Sequence, residues 1–183
     1  NIIDNNSSVV YRIFAGAGLP YKNSTAIPFE KKYFSGGANS IRAWQVRDLG
    51  PGSNDDLDPG LYPNKTADIK LEANLEYRFK LFWVLKGAIF LDAGNIWAIN
   101  RMDERVGALF QFDKFYKDIA IGTGFGTRFD FNFFIFRLDL GIKLKDPSYP
   151  PGERISFISR GLKRKDFVFN FGISFKSYLL ILN

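Results

Sequence analysis

Arg42 is the side chain on which a chemical reading of this sequence turns. It lies in FEKKYFSGGANSIRAWQVRDLGPG, Phe29 to Gly52, a stretch with too many glycines and charges for a strand that nevertheless carries Phe29, Tyr33, Phe34, Ile41 and Trp44. A loop exposed to water has little use for so many large apolar side chains, whereas a loop folded back into a cavity must bring its own core. The arginine at its centre then needs acceptors waiting for it. Taken by itself, the simpler reading of Arg42 is a solvated loop arginine.

The remaining candidates for chemistry are fewer. The sequence has no histidine and no cysteine, which removes imidazole and thiolate catalysis and metal sites built on them, and leaves disulfides out. No enzymatic constellation is found, and no cofactor is expected. Asp55, Asp56 and Asp58 supply oxygens of the kind calcium takes, but a turn-rich acidic loop is read first as solvated, and no metal is expected. Gly122, Gly124 and Gly126 imitate a phosphate loop only superficially, because they fall inside an alternating run with no helix after it. The formal charge of +6 comes from scattered basic residues that never form a run, so no nucleic-acid partner is expected.

The elements that must position these residues are strands. Apolar residues occupy every odd position from Val9 to Leu19, and from Ala67 to Lys80 alternation is complete, with Ala67, Ile69, Leu71, Ala73, Leu75, Tyr77 and Phe79 against Asp68, Lys70, Glu72, Asn74, Glu76, Arg78 and Lys80. The pattern recurs in Val84 to Trp97, Asp118 to Phe129, Phe134 to Lys145 and Phe167 to Phe175. No convincing helix is present, and no apolar run approaches the roughly 20 residues of a membrane helix. Twenty phenylalanines against one methionine suit flat strand surfaces better than a plastic helical core.

Connections between the strands alternate between long and short, so all long loops gather at one end: about 22–66, 98–115 and 146–165. Outer-membrane barrels have this asymmetry, with short periplasmic turns and long outer loops. A soluble antiparallel barrel with its apolar face turned inward would give the same alternation. Against it stand the strand lengths and the aromatics near strand ends (Tyr77, Phe79, Phe82, Trp83, Trp97, Phe129, Phe131, Phe133). The glycine-studded charged face counts against it too, since glycines weaken a solvated strand but make room inside a crowded lumen. The expected fold is all-β, an antiparallel transmembrane β-barrel with an in-folded long loop. Six strands cannot close in lipid, so residues 1–183 are expected to be the C-terminal portion of a larger barrel, with further strands and any periplasmic repeat domains before Asn1.

With these elements in place, GGANSIRAWQVRDLGPG resembles the signature loop of outer-membrane assembly barrels of the BamA/TamA type, a bacterial surface antigen family. That loop folds into the lumen with a Val/Ile-Arg-Gly-Phe/Tyr tip; here the tip is Ile41, Arg42, Ala43, Trp44. NLEYRF (Asn74 to Phe79) and IFLDAGNIW (Ile89 to Trp97) follow in the family's order, and FVFNFGISF (Phe167 to Phe175) is similar to its C-terminal strand signal, carried by Phe167, Phe169, Phe171 and Phe175. The resemblance implies the last six strands of a 16-strand barrel, with Glu76 and Asp92 receiving the loop arginine. Strand parity agrees, since both carboxylates fall on the polar side of adjacent strands.

The resemblance also implies a Gram-negative outer membrane and outer-membrane lipids, unfolded client proteins and accessory assembly subunits as partners. The function it implies is assembly through a lateral gate between first and last strands. The alternatives are a secretion or passive pore with a loop plug, and a barrel anchor for an upstream enzymatic domain. Arg137 and Asp139 read as a lumenal charge network. Arg154, Arg160, Lys163, Arg164 and Lys165 either meet lipid headgroups or stay solvated. The tail Lys176 to Asn183 breaks the alternation and has no assigned role.

Overall fold

The computed structural model describes residues 2–4, 6–21, 26–54, 65–100, 103–131 and 133–175. They form one antiparallel sheet in simple chain order, β1 (Ile2–Asp4), β2 (Ser7–Ala17), β3 (Ile69–Phe82), β4 (Leu85–Trp97), β5 (Ala120–Asp130), β6 (Phe134–Lys145) and β7 (Phe167–Phe175). The short β1 is an addition to the six strands expected, since three residues are too few to show a period. The first long strand begins at Ser7, two residues before Val9, and the second runs Ile69–Phe82 where Ala67 to Lys80 was expected. Ala67 makes an isolated bridge to Tyr33, so its backbone pairs with the loop before the strand proper begins. Helical structure among the described residues is confined to single turns such as Phe29–Lys31 and Phe115–Asp118.

Register decides which face is which. Tyr77 lies opposite Ile89 and Val9, Leu75 opposite Leu91, and Phe125 opposite Ile89 and Leu140, so the apolar side chains of neighbouring strands form continuous rows on one face. That face is the exposed one: Ile13 is 79% accessible, Phe169 67% and Phe175 82%, whereas Asp92 on the opposite face is 0%. A soluble barrel would hide the Phe and Ile rows and expose the carboxylates. The inversion is what lipid on the outside and protein in the lumen require.

The two-residue turn after β3 places Trp83 at φ 46°, an uncommon conformation for a bulky residue, and β5, which ends at Asp130, is followed closely by β6 from Phe134. These short turns share one end of the sheet. At the other end the β2–β3 loop doubles back over the polar face, and its Ile41, Ala43, Trp44 and Leu49 form a buried cluster with Ala120. Its aromatics divide, however. Phe29 and Phe34 stay 47% and 40% exposed, flanking the Arg47 guanidinium at 5.6 and 5.1 Å from the ring centres, so they cover the loop's outer shoulder and do not enter the core.

A lumenal latch at the tip of the long loop

The loop tip is a closed finger. Gly37 donates its amide to the Trp44 carbonyl at 2.8 Å and Arg47 donates to Ser35 at 3.0 Å, so both legs are bonded before the tip reaches the sheet. Gly36 and Gly37 take φ of 99° and 91°; at Gly36 a Cβ would lie 2.0 Å from the Gln45 carbonyl oxygen, so the crossing needs glycine. Ala43, standing where the resembled motif has glycine, is not among the residues with positive φ, and its methyl is fully buried. Alanine is thus compatible with the backbone of the tip.

Arg42 lies between β3 and β4. Its Nε and Nη2 donate to the two oxygens of Asp92, both at 2.8 Å, its backbone amide donates to Asp92 at 3.0 Å, and its Nη1 pairs with Glu76. The fork of the guanidinium matches the planar carboxylate, which a lysine could not do. Phe90 forms the floor, with the guanidinium carbon 3.6 Å from its ring centre. Burial works against the charge of Arg42, but the hydrogen bond and charge of Asp92, with those of Glu76, outweigh it and raise its pKa.

Residues that the sequence did not assign to the loop arginine complete the site. Glu76 also accepts from Arg128 at 3.0 Å and from Arg78 at 2.6 Å, and Arg128 pairs in turn with Asp139. Asn74 bridges Asp92 and the Ser40 carbonyl, both at 2.9 Å, while Ser40 donates to Glu72 at 3.0 Å. From β7, Asn170 donates to the Arg42 carbonyl at 2.7 Å. Apart from Ser40, which belongs to the loop, each lies on the polar parity of its strand, which marks the face but not the partner. Asp139 pairs with Arg128 and not with Arg137, whose own contact is Asn39.

Glycines on β5 and β6 clear the space. A Cβ on Gly141 would lie 2.3 Å from the Arg42 carbonyl oxygen, one on Gly122 2.5 Å from the Ala43 methyl, and one on Gly124 2.5 Å from Phe90. The tip therefore packs backbone against backbone.

The C-terminal signal residues Phe167, Phe169, Phe171 and Phe175 all point outward from β7, whose pairing partner among the described residues is β6. The loop cations turn partly inward: Arg160 grips Asp166 through two bonds of 2.9 and 2.7 Å, and Arg154 reaches Asp118 at 3.2 Å. Among the described residues no group of metal-ligating side chains converges; Asp55, Asp56 and Asp58, like the tail Lys176 to Asn183, lie outside them.

An antiparallel sheet with an apolar outer face, a charged inner face and a long loop latched to that inner face defines the wall of an outer-membrane β-barrel. The family follows from comparison: residues 2–176 match the Omp85 superfamily domain, and the chain belongs to that superfamily. It is an outer-membrane family whose members act in protein insertion or secretion and meet client proteins and lipids. A search of curated proteins finds no match.

Proposed function

We propose that this chain is the latched wall of an outer-membrane protein insertion factor, in which a lateral gate between first and last barrel strands admits client proteins. The observation that carries the reading is the double attachment of the loop tip, through the Arg42 side chain to β3 and β4 and through the Arg42 carbonyl to Asn170 on β7. A tip joined to β7 and to the strands three and four places away braces the wall beside the last strand, where a gate would open. The exposed row Phe167, Phe169, Phe171, Phe175 gives that strand a lipid-compatible face, and the resemblance of the Ile41–Trp44 tip to that of BamA/TamA-type barrels supports the same reading. Insertion by this route uses strand pairing and local bilayer deformation, without covalent chemistry. The unpaired edge groups of an open sheet would each cost several kcal/mol in lipid, so the wall works as part of a larger closed barrel.

The same in-folded loop suits a secretion pore, where it would act as a plug. Reconstitution of the protein carrying this chain separates the two. Accelerated folding of unfolded outer-membrane clients into liposomes supports the insertion reading. Steady ion conductance with no effect on client folding would replace it with the pore.

A further inference from the structure

The lumenal face carries a second charged feature, away from the loop tip and toward the short turns. Lys80 lies directly opposite Lys86, Lys86 opposite Arg128, and Arg128 opposite Arg137, a row of four cations at one level on four consecutive strands. Like charges directly opposite one another are destabilising. With strands about 4.8 Å apart, the row spans roughly 15 Å.

The surrounding carboxylates cancel this charge only in part. Lys86 pairs with Asp130 at 2.6 Å, Arg128 with Asp139 and Glu76, and Arg78, beside the row, with Glu76 at 2.6 Å. Five cations thus face three carboxylates, and Glu76 is also shared with Arg42. Neither Lys80 nor Arg137 makes an ion pair among the described residues, and the Nε groups of Arg128 and Arg137 are buried without a hydrogen-bond partner. Arg128 itself is only 2% exposed. All five of these cations line a cavity of about 550 Å³ with Asn6, Ser8 and Ser174 and with one carboxylate, Asp130, which Lys86 holds; the cavity reaches the short-turn end of the lumen.

We propose that this cavity binds an acidic peptide segment through its carboxylates, independently of whether the barrel inserts or secretes proteins. The surplus charge and the unpartnered guanidinium donors call for oxyanions. The cavity opens on the face opposite the apolar rows, which removes lipid headgroups from its reach. Ile135 in its lining, on the same face as Arg137, supplies apolar contact for a chain, which a small inorganic anion would not use. At the short-turn end such a segment would arrive from the periplasm.

The test is binding of a fluorescently labelled hexaglutamate peptide to the detergent-purified protein carrying this chain, with inorganic phosphate and anionic-lipid micelles as competitors. Saturable binding is expected, weakened at least tenfold by Lys80→Gln/Lys86→Gln. Ser174→Asp, which removes no cation but adds a carboxylate to the cavity, is expected to weaken it similarly. Lys31→Gln/Lys114→Gln, which removes the same charge from the long loops, should leave it unchanged. Absence of saturable binding overturns the proposal, as does equal weakening by the loop pair, or displacement by phosphate or lipid at lower concentration than by unlabelled peptide. Heat-modifiable gel migration identifies folded variants, and Ser174→Asp decides the matter if the lysine pair does not fold.

Discussion

Asn170 on the last strand donates its side-chain amide to the backbone carbonyl of Arg42, 2.7 Å away and 128 positions earlier in the chain. One hydrogen bond thereby connects the tip of the in-folded loop to β7, while the side chain of the same arginine holds β3 and β4. The strand at the edge of the sheet and the loop over its inner face are mechanically one unit at this point.

Asn170→Ala leaves the Arg42 carbonyl buried without its donor, at a cost of about 1–3 kcal/mol. The expected result is faster protease nicking between Phe29 and Gly52 with the barrel still folded. Unchanged nicking would mean that β7 does not hold the tip.

Arg42→Ala removes one partner of a buried charge set and leaves the buried Asp92 without a cation, while Glu76 keeps Arg128 and Arg78; losing one partner of such a set typically costs about 3–5 kcal/mol. Arg42→Lys should restore only part of the lost thermal stability, because an ammonium cannot span both Asp92 oxygens. Full recovery by lysine would show that charge alone, and not the fork, holds the tip.

How far the sequence discloses this site depends on the kind of signal each residue carries. Glu76 and Asp92 are legible because strand parity puts them on the polar face and the motif resemblance singles them out; Arg42 touches both. Asn170 has the same parity, but a neutral side chain bonding a backbone carbonyl leaves no charge pattern to read. Asp139 shows a related gap, since parity places it beside both Arg128 and Arg137 without choosing between them. Phe29 and Phe34 stay on the surface because a loop's apolar content does not say which residues turn inward. The strand set was readable from alternation, whereas β1 was too short to show any.

Gly141→Ala tests the close approach of loop to sheet. Its methyl would meet the Arg42 backbone, which cannot step aside, and overpacking of this kind costs about 1–3 kcal/mol. Gly172→Ala should be mild by comparison, since its methyl would approach only the end of the flexible Arg137 side chain at 3.0 Å. Thermal midpoints of the two variants give the comparison; equal losses would remove the special role of Gly141.

The loop before β7 carries a pH-dependent clasp. Burial of the Asp166 carboxyl raises its pKa, but the hydrogen bonds from Arg160 and the Lys163 amide outweigh this and lower it below its ordinary 3.8. A carboxyl depressed in the folded state stabilises above its unfolded pKa, and the contribution fades as pH falls through the folded value. Hydrogen exchange across residues 156–166, corrected for its intrinsic pH dependence, should show protection that is constant at neutral pH and lost below about 3.8, the ordinary Asp value. Asp166→Asn should abolish that pH dependence; its persistence would assign it to another group.

The most direct test of the latch as part of the working mechanism is the rate at which liposomes containing the protein fold an unfolded outer-membrane client, compared between the native protein and Arg42→Ala, with both barrels verified as folded. At least a tenfold loss is expected on removal of the arginine. Equal rates would contradict a functional role for the latch and leave the Arg42 contacts as loop anchoring alone.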